Sequence, residues 1–411
     1  MTNKSVLLLF LLLALSLSAC AAAAVADINQ PGMVESSAPA TEAPEVVATA
    51  TQFALLPAAE SVSAAQPVSA PLTVGPNPEN IPAGYNPLTG LPVSDPATLE
   101  LPAVLISITN FPPSARPQAG LSFSPWVFEL YIAEGMTRYL ATFYGDFPKT
   151  ASAVGQPATA EVGPVRSGRL PYVYIRDFFQ NSCLVYAGAT EQIRARLRGC
   201  ATVFGDDSAD INSAMLDVTR LQKIAEQNKR PSDTFNYTGN LFSSAPAAQG
   251  APASQIDVYY SYLNQGQWQY NPTSGAYLKL NDFADGSGKF TPATDRLTGQ
   301  QLAFANVVVL YVEHTVINPY IIDVKMGPGE KGRATLFRDG QKFEAFWTTV
   351  SGEYEQTTGL RRPLRFVDAN GQPFALKPGQ TWVHLVTLPS EVQDQGAGKW
   401  KLRFYAPAGA K

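Results

Sequence analysis

The composition of this 411-residue chain changes near residue 85, and the change limits where a folded core can begin. Residues 20–84 contain six acidic residues, no lysine and no arginine, and Phe53 is their only aromatic side chain. Such a segment cannot bury enough apolar surface to offset the entropy that is lost on ordering. We therefore expect a disordered acidic tether rich in alanine and proline over residues 20–84, with a mean reach of about 45 Å.

The first 20 residues have the pattern of an export signal. Lys4 precedes an almost wholly apolar run, Val6–Ala19, and small residues lead into Cys20. This order is typical of a secretory signal peptide, which we place at residues 1–19. A cysteine directly after Leu-Ser-Ala resembles a bacterial lipobox, so Cys20 is the predicted lipidation site. An ordinary signal peptide or a membrane-spanning anchor is the alternative.

Lipidation at Cys20 predicts where the protein works. Two or three acyl chains anchor a protein stably, whereas one chain is marginal. We therefore expect a lipoprotein on the extracytoplasmic face of a bacterial membrane, held there by its lipid anchor. Which membrane of a two-membrane cell carries it is left open.

The charge of the folded part excludes one class of partner. Without the six acids of the tether and Lys4, residues 85–411 hold 29 basic and 28 acidic residues, a net charge of +1. Nucleic-acid binding needs a strong positive field, so no nucleic acid is expected as a partner. We expect no cofactor.

Two cysteines remain once Cys20 is acylated, Cys183 and Cys200. Because an extracytoplasmic compartment can be oxidising, we predict a disulfide between them. Two buried free thiols are the alternative. Two cysteines and two distant histidines do not make a zinc site, and no metal is expected.

The folded part divides into two halves of different character. Strand-like and helix-like segments alternate over residues 85–245, which predicts an α/β N-terminal domain. Residues 254–407 are rich in strand-like runs separated by turn signals such as Asp339-Gly340, which predicts a mostly antiparallel β (α+β) C-terminal domain. The strand candidates are Ala103–Thr109, Trp126–Ile132, Arg138–Tyr144, Cys183–Tyr186, Ile256–Tyr262, Ala276–Leu280, Phe304–Tyr311, Tyr320–Val324, Ala334–Phe337, Phe343–Thr348, Leu364–Val367 and Thr381–Val386. Helices are predicted to start at Pro171, at Thr190 and near Asp217.

Most signatures of enzymes are absent. The sequence has no GxSxG, SxxK, P-loop or HExxH motif, and its only histidines are His314 and His384. A Ser-His or Cys-His nucleophile is therefore excluded from the first half. Gly327–Gly332 formally matches GxGxxG, but it joins two predicted strands instead of opening a helix, so we expect a turn there.

One buried acid is expected in the first half. Glu129 stands in the middle of the apolar run Trp126–Ile132. An unpaired buried carboxylate is costly, so Glu129 is predicted to be paired or to have a raised pKa. Arg116 and Arg138 are the partner candidates nearest to it in the sequence.

A loop with two arginines provides the second part of a candidate site. Arg166 and Arg169 flank Ser167 and Gly168 just before the helix that Pro171 is predicted to open. Guanidinium groups beside a helix N-terminus suit a phosphate or a carboxylate. The candidate residues of an anion-binding site are Arg116, Arg138, Arg166, Ser167 and Arg169, and the candidates for proton transfer are Glu129 and Glu134. A structural network of arginines and glutamates that binds nothing is the alternative.

Several of these segments resemble a known family. The motifs are Asn86-Pro87-Leu88-Thr89-Gly90-Leu91-Pro92, Ala115-Arg116-Pro117-Gln118-Ala119-Gly120-Leu121, Glu134-Gly135-Met136-Thr137-Arg138, Val162-Gly163-Pro164-Val165-Arg166-Ser167-Gly168-Arg169, Phe337-Arg338-Asp339-Gly340 and Pro378-Gly379-Gln380-Thr381-Trp382. Together they resemble the YerB-like family of bacterial lipoproteins, a domain-of-unknown-function family with two domains. The resemblance covers nearly all of residues 85–390 and implies the anchor, two domains and an envelope setting, but no activity. The chain departs from the family at Tyr186 and at Phe235, where family members tend to have histidines.

Three functions are compatible with the sequence. The first is an envelope-associated binding module for an anionic wall component, such as a cell-wall glycan, or for a partner protein. The second is an enzyme that acts on wall glycan or phosphodiester linkages, with Glu129 or Glu134 as the acid or base. The third is a purely structural or assembly role. The sequence favours a protein that is not an enzyme, and leaves the ligand and the oligomeric state open.

Overall fold

The computed structural model describes residues 71–148, 160–207, 209–230, 235–247 and 249–411. The predicted signal peptide, Cys20 and most of the predicted tether lie outside these residues. None of the helices described there is long and apolar enough to cross a membrane.

The described part is mostly β and contains four α-helices. The helices are α1 (Tyr172–Phe178), α2 (Glu191–Leu197), α3 (Val218–Asn228) and α4 (Glu353–Thr358). The strands up to residue 247 are β1 (Thr73–Val74), β2 (Tyr85–Asn86), β3 (Leu91–Pro92), β4 (Val104–Thr109), β5 (Trp126–Ala133), β6 (Met136–Phe143), β7 (Glu161–Val162), β8 (Cys183–Tyr186), β9 (Ala201–Thr202), β10 (Leu216–Asp217) and β11 (Leu241–Ser243). The strands from residue 249 onward are β12 (Ala251–Pro252), β13 (Gln255–Ser261), β14 (Asn264–Asn271), β15 (Ala276–Asp282), β16 (Phe290–Pro292), β17 (Ala303–Phe304), β18 (Asn306–Val312), β19 (His314–Asn318), β20 (Ile321–Val324), β21 (Lys331–Arg338), β22 (Gln341–Thr348), β23 (Arg365–Val367), β24 (Ala375–Leu376), β25 (Thr381–Thr387), β26 (Glu391–Asp394) and β27 (Lys399–Arg403).

Strands from both halves of the chain form one central sheet. Its order is β12-β22-β21-β18-β25-β5-β6-β4-β8-β9, and β23 pairs with β22 at one side. The halves meet where β25 lies parallel to β5, with Thr381 opposite Trp126 and His384 opposite Glu129. A second sheet, β16-β15-β14-β13-β27-β26, belongs to the second half.

The two faces of the central sheet carry two separate cores. Every residue of β5 is buried, as expected for a strand that is covered on both sides. Phe128 and Leu130 belong to the core beneath α1 and α2. Val127 and Tyr131 belong to the other core, which includes residues of the second sheet and of α3. Because side chains alternate along a strand, Glu129 points to this second core.

The expected fold is confirmed only at a coarse level. The fold is β-rich and mixed, but the separate α/β domain predicted for residues 85–245 is not confirmed, since its strands continue into a sheet with strands of the second half. The division at residues 245–254 stays a prediction. The turn predicted at Asp339-Gly340 does connect β21 to β22, and both residues have the positive φ values, 52° and 69°, that a tight hairpin favours.

The end of the predicted tether differs from expectation. We placed residues 71–84 in a disordered segment, but β1 pairs with β11 through Thr73 opposite Ser243 and Val74 opposite Phe242. Val74 is fully buried. The local composition is poor in aromatic residues, and it is the pairing with a distant strand that orders this short segment.

Candidate functional site

Three arginines of the predicted site lie together on the face of the central sheet that α1 and α2 cover. Arg138 stands on β6, and Arg166 and Arg169 belong to the loop that precedes α1. We call these three residues with Ser167 the arginine cluster. Arg138 Nη1 donates to the Ser167 carbonyl at 3.3 Å, and Arg169 Nη1 donates to Ser167 Oγ at 2.8 Å.

The loop that carries the arginine cluster is fixed by backbone hydrogen bonds. The Arg166 N–H donates to Ser107 on β4 at 2.8 Å, and the Gly168 N–H donates to Gly188 at 2.9 Å. A Cβ atom at Gly168 would lie 2.1 Å from Leu197 Cδ1, so the Leu197 side chain would have to shift. The loop is therefore held between the end of β4 and the segment that follows β8.

Few of the donors in the arginine cluster are used. Each guanidinium has five N–H donors, but the Nε atoms of Arg138, Arg166 and Arg169 are all buried without an acceptor. Within the described residues none of the three forms an ion pair with a carboxylate. Buried donors without acceptors are costly, so the cluster is suited to receive an anion.

The electrostatics of the arginine cluster agree with its geometry. Burial, together with the positive charges of Arg169 and Arg166, lowers the pKa of Arg138 to about 9. Burial also lowers the pKa of Arg169 and of Arg166. Asp210 is near enough to oppose this lowering at Arg166. Positive charge is therefore concentrated here without full compensation.

Two hydroxyl groups border the arginine cluster. Tyr172 on α1 is fully buried, and its hydroxyl lies 2.9 Å from Ser107 Oγ. The charges of Arg138 and Arg169 act on the Tyr172 hydroxyl, although burial still raises its pKa. The helix α1 has only seven residues, so we assign no anion site to its N-terminus. Its part in the cluster is the Tyr172 side chain.

Glu129, a candidate acid, does not join the arginine cluster. It is 3% exposed on the opposite face of the central sheet. Its Oε1 accepts from Thr137 Oγ1 at 2.8 Å, and its Oε2 accepts from Trp382 Nε1 at 3.1 Å and lies 3.3 Å from His384 Nδ1. Burial opposes ionisation, but the contacts with His384, the charge of Lys279 and the Thr137 hydrogen bond lower the Glu129 pKa to about 2.

A bulge explains why Glu129 and Arg138 face apart. The β5–β6 register shifts between Tyr131 and Ala133, and beyond that point Leu130 lies opposite Arg138 and Glu129 opposite Tyr139. A hairpin without the shift would put Arg138 opposite Tyr131, on the face of Glu129. One extra residue in a strand moves every later side chain to the other face. The pairing of Glu129 with Arg138 was therefore a wrong expectation.

His384 is neutral in this arrangement. Its Nε2 accepts a hydrogen bond from Trp268 Nε1 at 3.1 Å, because an indole nitrogen only donates. The ring proton is thus on Nδ1, which faces Glu129 Oε2. Burial lowers the pKa of His384, which agrees with a neutral ring.

Lys279 supplies the positive charge beside Glu129. The residue is 4% exposed, and its Nζ lies 4.8 Å from the ring centre of Trp382 and 5.0 Å from that of Trp268. Burial lowers its pKa, whereas the charge of Glu129 raises it. Sequence reasoning missed Lys279 and the contacts of His384, since they belong to strands far from Glu129 in the chain. The signal that could have revealed it is a lysine at a core-facing position of a strand.

Two further predicted residues also lie outside the arginine cluster. Arg116 Nη1 pairs with Asp282 Oδ1 at 3.0 Å, and its Nη2 donates to Asn110 Oδ1 at 3.2 Å. Glu134 lies in the β5–β6 turn, where its carboxylate is 3.3 Å from Lys411 Nζ and 42% exposed. Neither Glu129 nor Glu134 stands in a cleft beside the arginines.

Cys183 and Cys200 form a disulfide with Cα atoms 5.4 Å apart. This distance is usual for such a bond. The bond joins the start of β8 to the turn after α2. In the part of the chain that the structure describes, no group of three or more histidine, cysteine, aspartate or glutamate residues could hold a metal ion.

Comparison with known proteins identifies the family of this chain. Residues 88–249 match the N-terminal domain, and residues 256–383 the C-terminal domain, of a protein of unknown function, DUF3048. The chain belongs to the DUF3048 family. This membership confirms the resemblance that the sequence motifs indicated.

The YerB protein of Bacillus subtilis matches this DUF3048 chain both in sequence and in structure. The Bacillus subtilis (strain 168) protein named "Putative lipoprotein YerB" is 28% identical over 322 residues, which cover 73% of this chain and 85% of the relative. A crystal structure of YerB protein from Bacillus subtilis matches with a TM-score of 0.56 at 25% identity, and covers 74% of this chain and 96% of that chain. The likeness extends over both DUF3048 domains.

Proposed function

We propose that this DUF3048 protein is a lipid-anchored binding protein of the bacterial envelope, and that its arginine cluster binds an anionic group of a wall component or of a partner protein. The observation that carries this proposal is the set of three buried Nε atoms without acceptors, in arginines that have no carboxylate partner among the described residues. The lipoprotein name of the 28% identical relative supports the anchor and the membrane location.

An anion in the arginine cluster would gain from each group that lines it. The guanidinium groups of Arg138, Arg166 and Arg169 supply charge-assisted donors, which are the strong class of hydrogen bond. Ser167 Oγ adds a neutral donor. A phosphate or carboxylate would also offset the mutual repulsion that the three cations experience when the site holds no anion.

Binding of purified wall polymer tests the cluster. The full-length protein in detergent is compared with the double variant Arg166→Gln/Arg169→Gln, and with a matched control, Arg220→Gln/Arg403→Gln, that removes two exposed charges elsewhere. We expect the cluster variant to lose at least about tenfold in affinity, since two charge-assisted contacts disappear. Equal affinity of the cluster variant and the parent would end the proposal.

The anchor is tested separately at Cys20. We expect Cys20→Ala to shift the protein from the membrane fraction to the soluble fraction and to abolish the incorporation of labelled fatty acid. Retention of the variant in the membrane fraction would contradict lipidation at this residue.

The enzyme hypothesis finds no support in the position of its carboxylates. It requires a carboxylate near the anion site and open to solvent. Glu129 is sealed by Trp382, Thr137 and His384, and Glu134 is paired with Lys411 away from the arginines. Binding without catalysis is therefore the function that the geometry supports best.

A further inference from the structure

A second basic surface lies at the other end of α1. It is a groove of about 860 Å³ between the end of α1, the turn after α2 and the end of α3. Its charged side chains are Arg176, Arg198, Arg230, Arg361 and Asp177. Apart from Arg230, three arginines against one aspartate give a net charge of +2. We call this surface the arginine groove.

The positive charge of Arg176 is held in place without being neutralised. Arg176 Nη1 donates to the carbonyls of Leu197 and Arg198, both at 2.8 Å. These carbonyls fix the guanidinium but carry no formal charge. Asp177 lies 3.7 Å from Arg176 Nη2 and is 40% exposed, so solvent screens most of this contact.

Two of the arginines are available to a ligand. Arg198 and Arg361 are exposed, and neither guanidinium has a hydrogen bond or an ion pair to any residue in the described ranges. Arg198 has a left-handed backbone, with φ at 46°, in the turn that the Cys183–Cys200 disulfide ties to β8. Because the disulfide fixes this turn, less conformational entropy would be lost when a ligand binds.

The Gln180 side chain, which is partly buried, indicates a second kind of group in the occupant. Gln180 lines the arginine groove, and its side-chain oxygen is buried without a donor among the described residues. An anion has no proton to give to this oxygen, whereas a hydroxyl group does. The volume is in the upper part of the range for ligand sites and exceeds what one phosphate or carboxylate needs.

We propose that the arginine groove binds an extended polyanion that also carries hydroxyl groups, either an acidic glycan or a polyol phosphate chain. Arg198 and Arg361 contact its anionic groups, Arg176 adds a fixed charge at the wall, and Gln180 accepts a hydroxyl. This site is separate from the arginine cluster and does not depend on it.

Binding by the full-length protein in detergent tests this proposal with four probes. They are a glycerol phosphate oligomer, oligogalacturonate, inorganic polyphosphate of the same charge, and neutral dextran. The groove variant is Arg198→Gln/Arg361→Gln, the matched control is Arg220→Gln/Arg403→Gln, and circular dichroism verifies that all variants are folded. We expect the groove variant to lose at least about tenfold in affinity for one of the two hydroxylated polyanions, and the control to lose less than about twofold, as for screened surface charges.

The hydroxyl contact and the independence of the site have their own readouts. Gln180→Met should lower the affinity for the hydroxylated probe and leave the affinity for polyphosphate unchanged. An equal loss of affinity for both probes would contradict the hydroxyl contact. The loss caused by Arg198→Gln/Arg361→Gln should be the same in the Arg166→Gln/Arg169→Gln background as in the parent, which separates this site from the arginine cluster. Equal losses in the groove variant and the control would overturn the proposal, because binding would then reflect overall charge.

Discussion

Glu129 and His384 lie side by side on parallel strands from the two halves of the chain, with Glu129 Oε2 3.3 Å from His384 Nδ1. Trp382 and Thr137 donate to the same carboxylate, and Lys279 lies close enough for its charge to act on it. Burying an ion is unfavourable unless it is paired and hydrogen-bonded. The contact therefore makes the packing of the two halves dependent on one ionised side chain.

Replacing Glu129 by glutamine should destabilise the protein strongly. The variant keeps the size of the side chain but removes the negative charge beside Lys279. Its NH2 group also cannot accept the hydrogen bonds that Thr137 and Trp382 donate to the carboxylate. We expect a loss of about 3 kcal/mol in the free energy of unfolding, measured by urea denaturation.

The control for this variant is Glu134→Gln in the β5–β6 turn. Its ion pair with Lys411 is 42% to 57% exposed, and we expect a change within about 0.5 kcal/mol. Similar losses in the free energy of unfolding for both variants would show that the buried contact stabilises the protein no more than the exposed ion pair does.

Stability should fall in acid in two steps. Burial lowers the pKa of His384 below 6.5 and that of His314 to about 4. Below about pH 6.5 the unfolded chain therefore binds more protons than the folded one, and stability declines as the pH drops. The pKa of Glu129 is about 2 instead of 4.5. Its contribution, about 3 kcal/mol by linkage, is complete above pH 4.5 and is lost as the pH falls toward 2.

Urea midpoints between pH 7.5 and 2.5 measure this dependence. Glu129→Gln should show a smaller second decline, because glutamine does not titrate, whereas Glu355, whose pKa is also about 2, still does. Parallel curves for the parent and the variant below pH 4.5 would contradict the assignment to Glu129.

Arg138→Met should leave the protein as stable as the parent or more stable. Arg138 is 6% exposed and forms no ion pair with any residue that the structure describes, so methionine removes an unfavourable charge. We expect the free energy of unfolding to rise by 0 to about 2 kcal/mol and anion binding to weaken.

Arg365→Met is the matched control, because Arg365 is similarly buried, 8% exposed, but pairs with Glu355 at 3.1 Å. We expect Arg365→Met to lower the free energy of unfolding by about 3 kcal/mol. A destabilised Arg138→Met would show that this arginine has a structural role.

Removing the disulfide should cost stability. The bond closes a loop with a sequence separation of 17, for which chain entropy predicts about 3 kcal/mol. Urea denaturation of Cys183→Ala/Cys200→Ala should match that of the parent with its disulfide reduced. Free thiols at both positions in a non-reducing digest of the parent would refute the bond.

The sequence was sufficient for local structure where the pattern was strong. Trp126–Ile132 is apolar on both faces and became the buried strand β5, and Asp339-Gly340 became the turn of a hairpin. Partners separated by hundreds of residues could not be found this way, because no local pattern records that β25 pairs with β5.

The candidate site was predictable only in part. Arg166 and Arg169 are close in sequence and lie together, and Arg138 joins them. Arg116 and Glu129 pair instead with residues of the second half, Asp282 and His384. The face on which Arg138 lies depends on a one-residue shift in the β5–β6 pairing, which composition does not reveal.

The parallel pairing of β5 with β25 affects how the protein folds during its synthesis. As the chain is synthesised, β5 remains an open edge, apolar on both sides, until residues 381–387 have emerged. Such an edge is prone to pair with other chains, and closing so distant a pair is slow. The first half released by proteolysis or early termination would therefore aggregate, and adding the missing second half in trans is the natural way to rescue it.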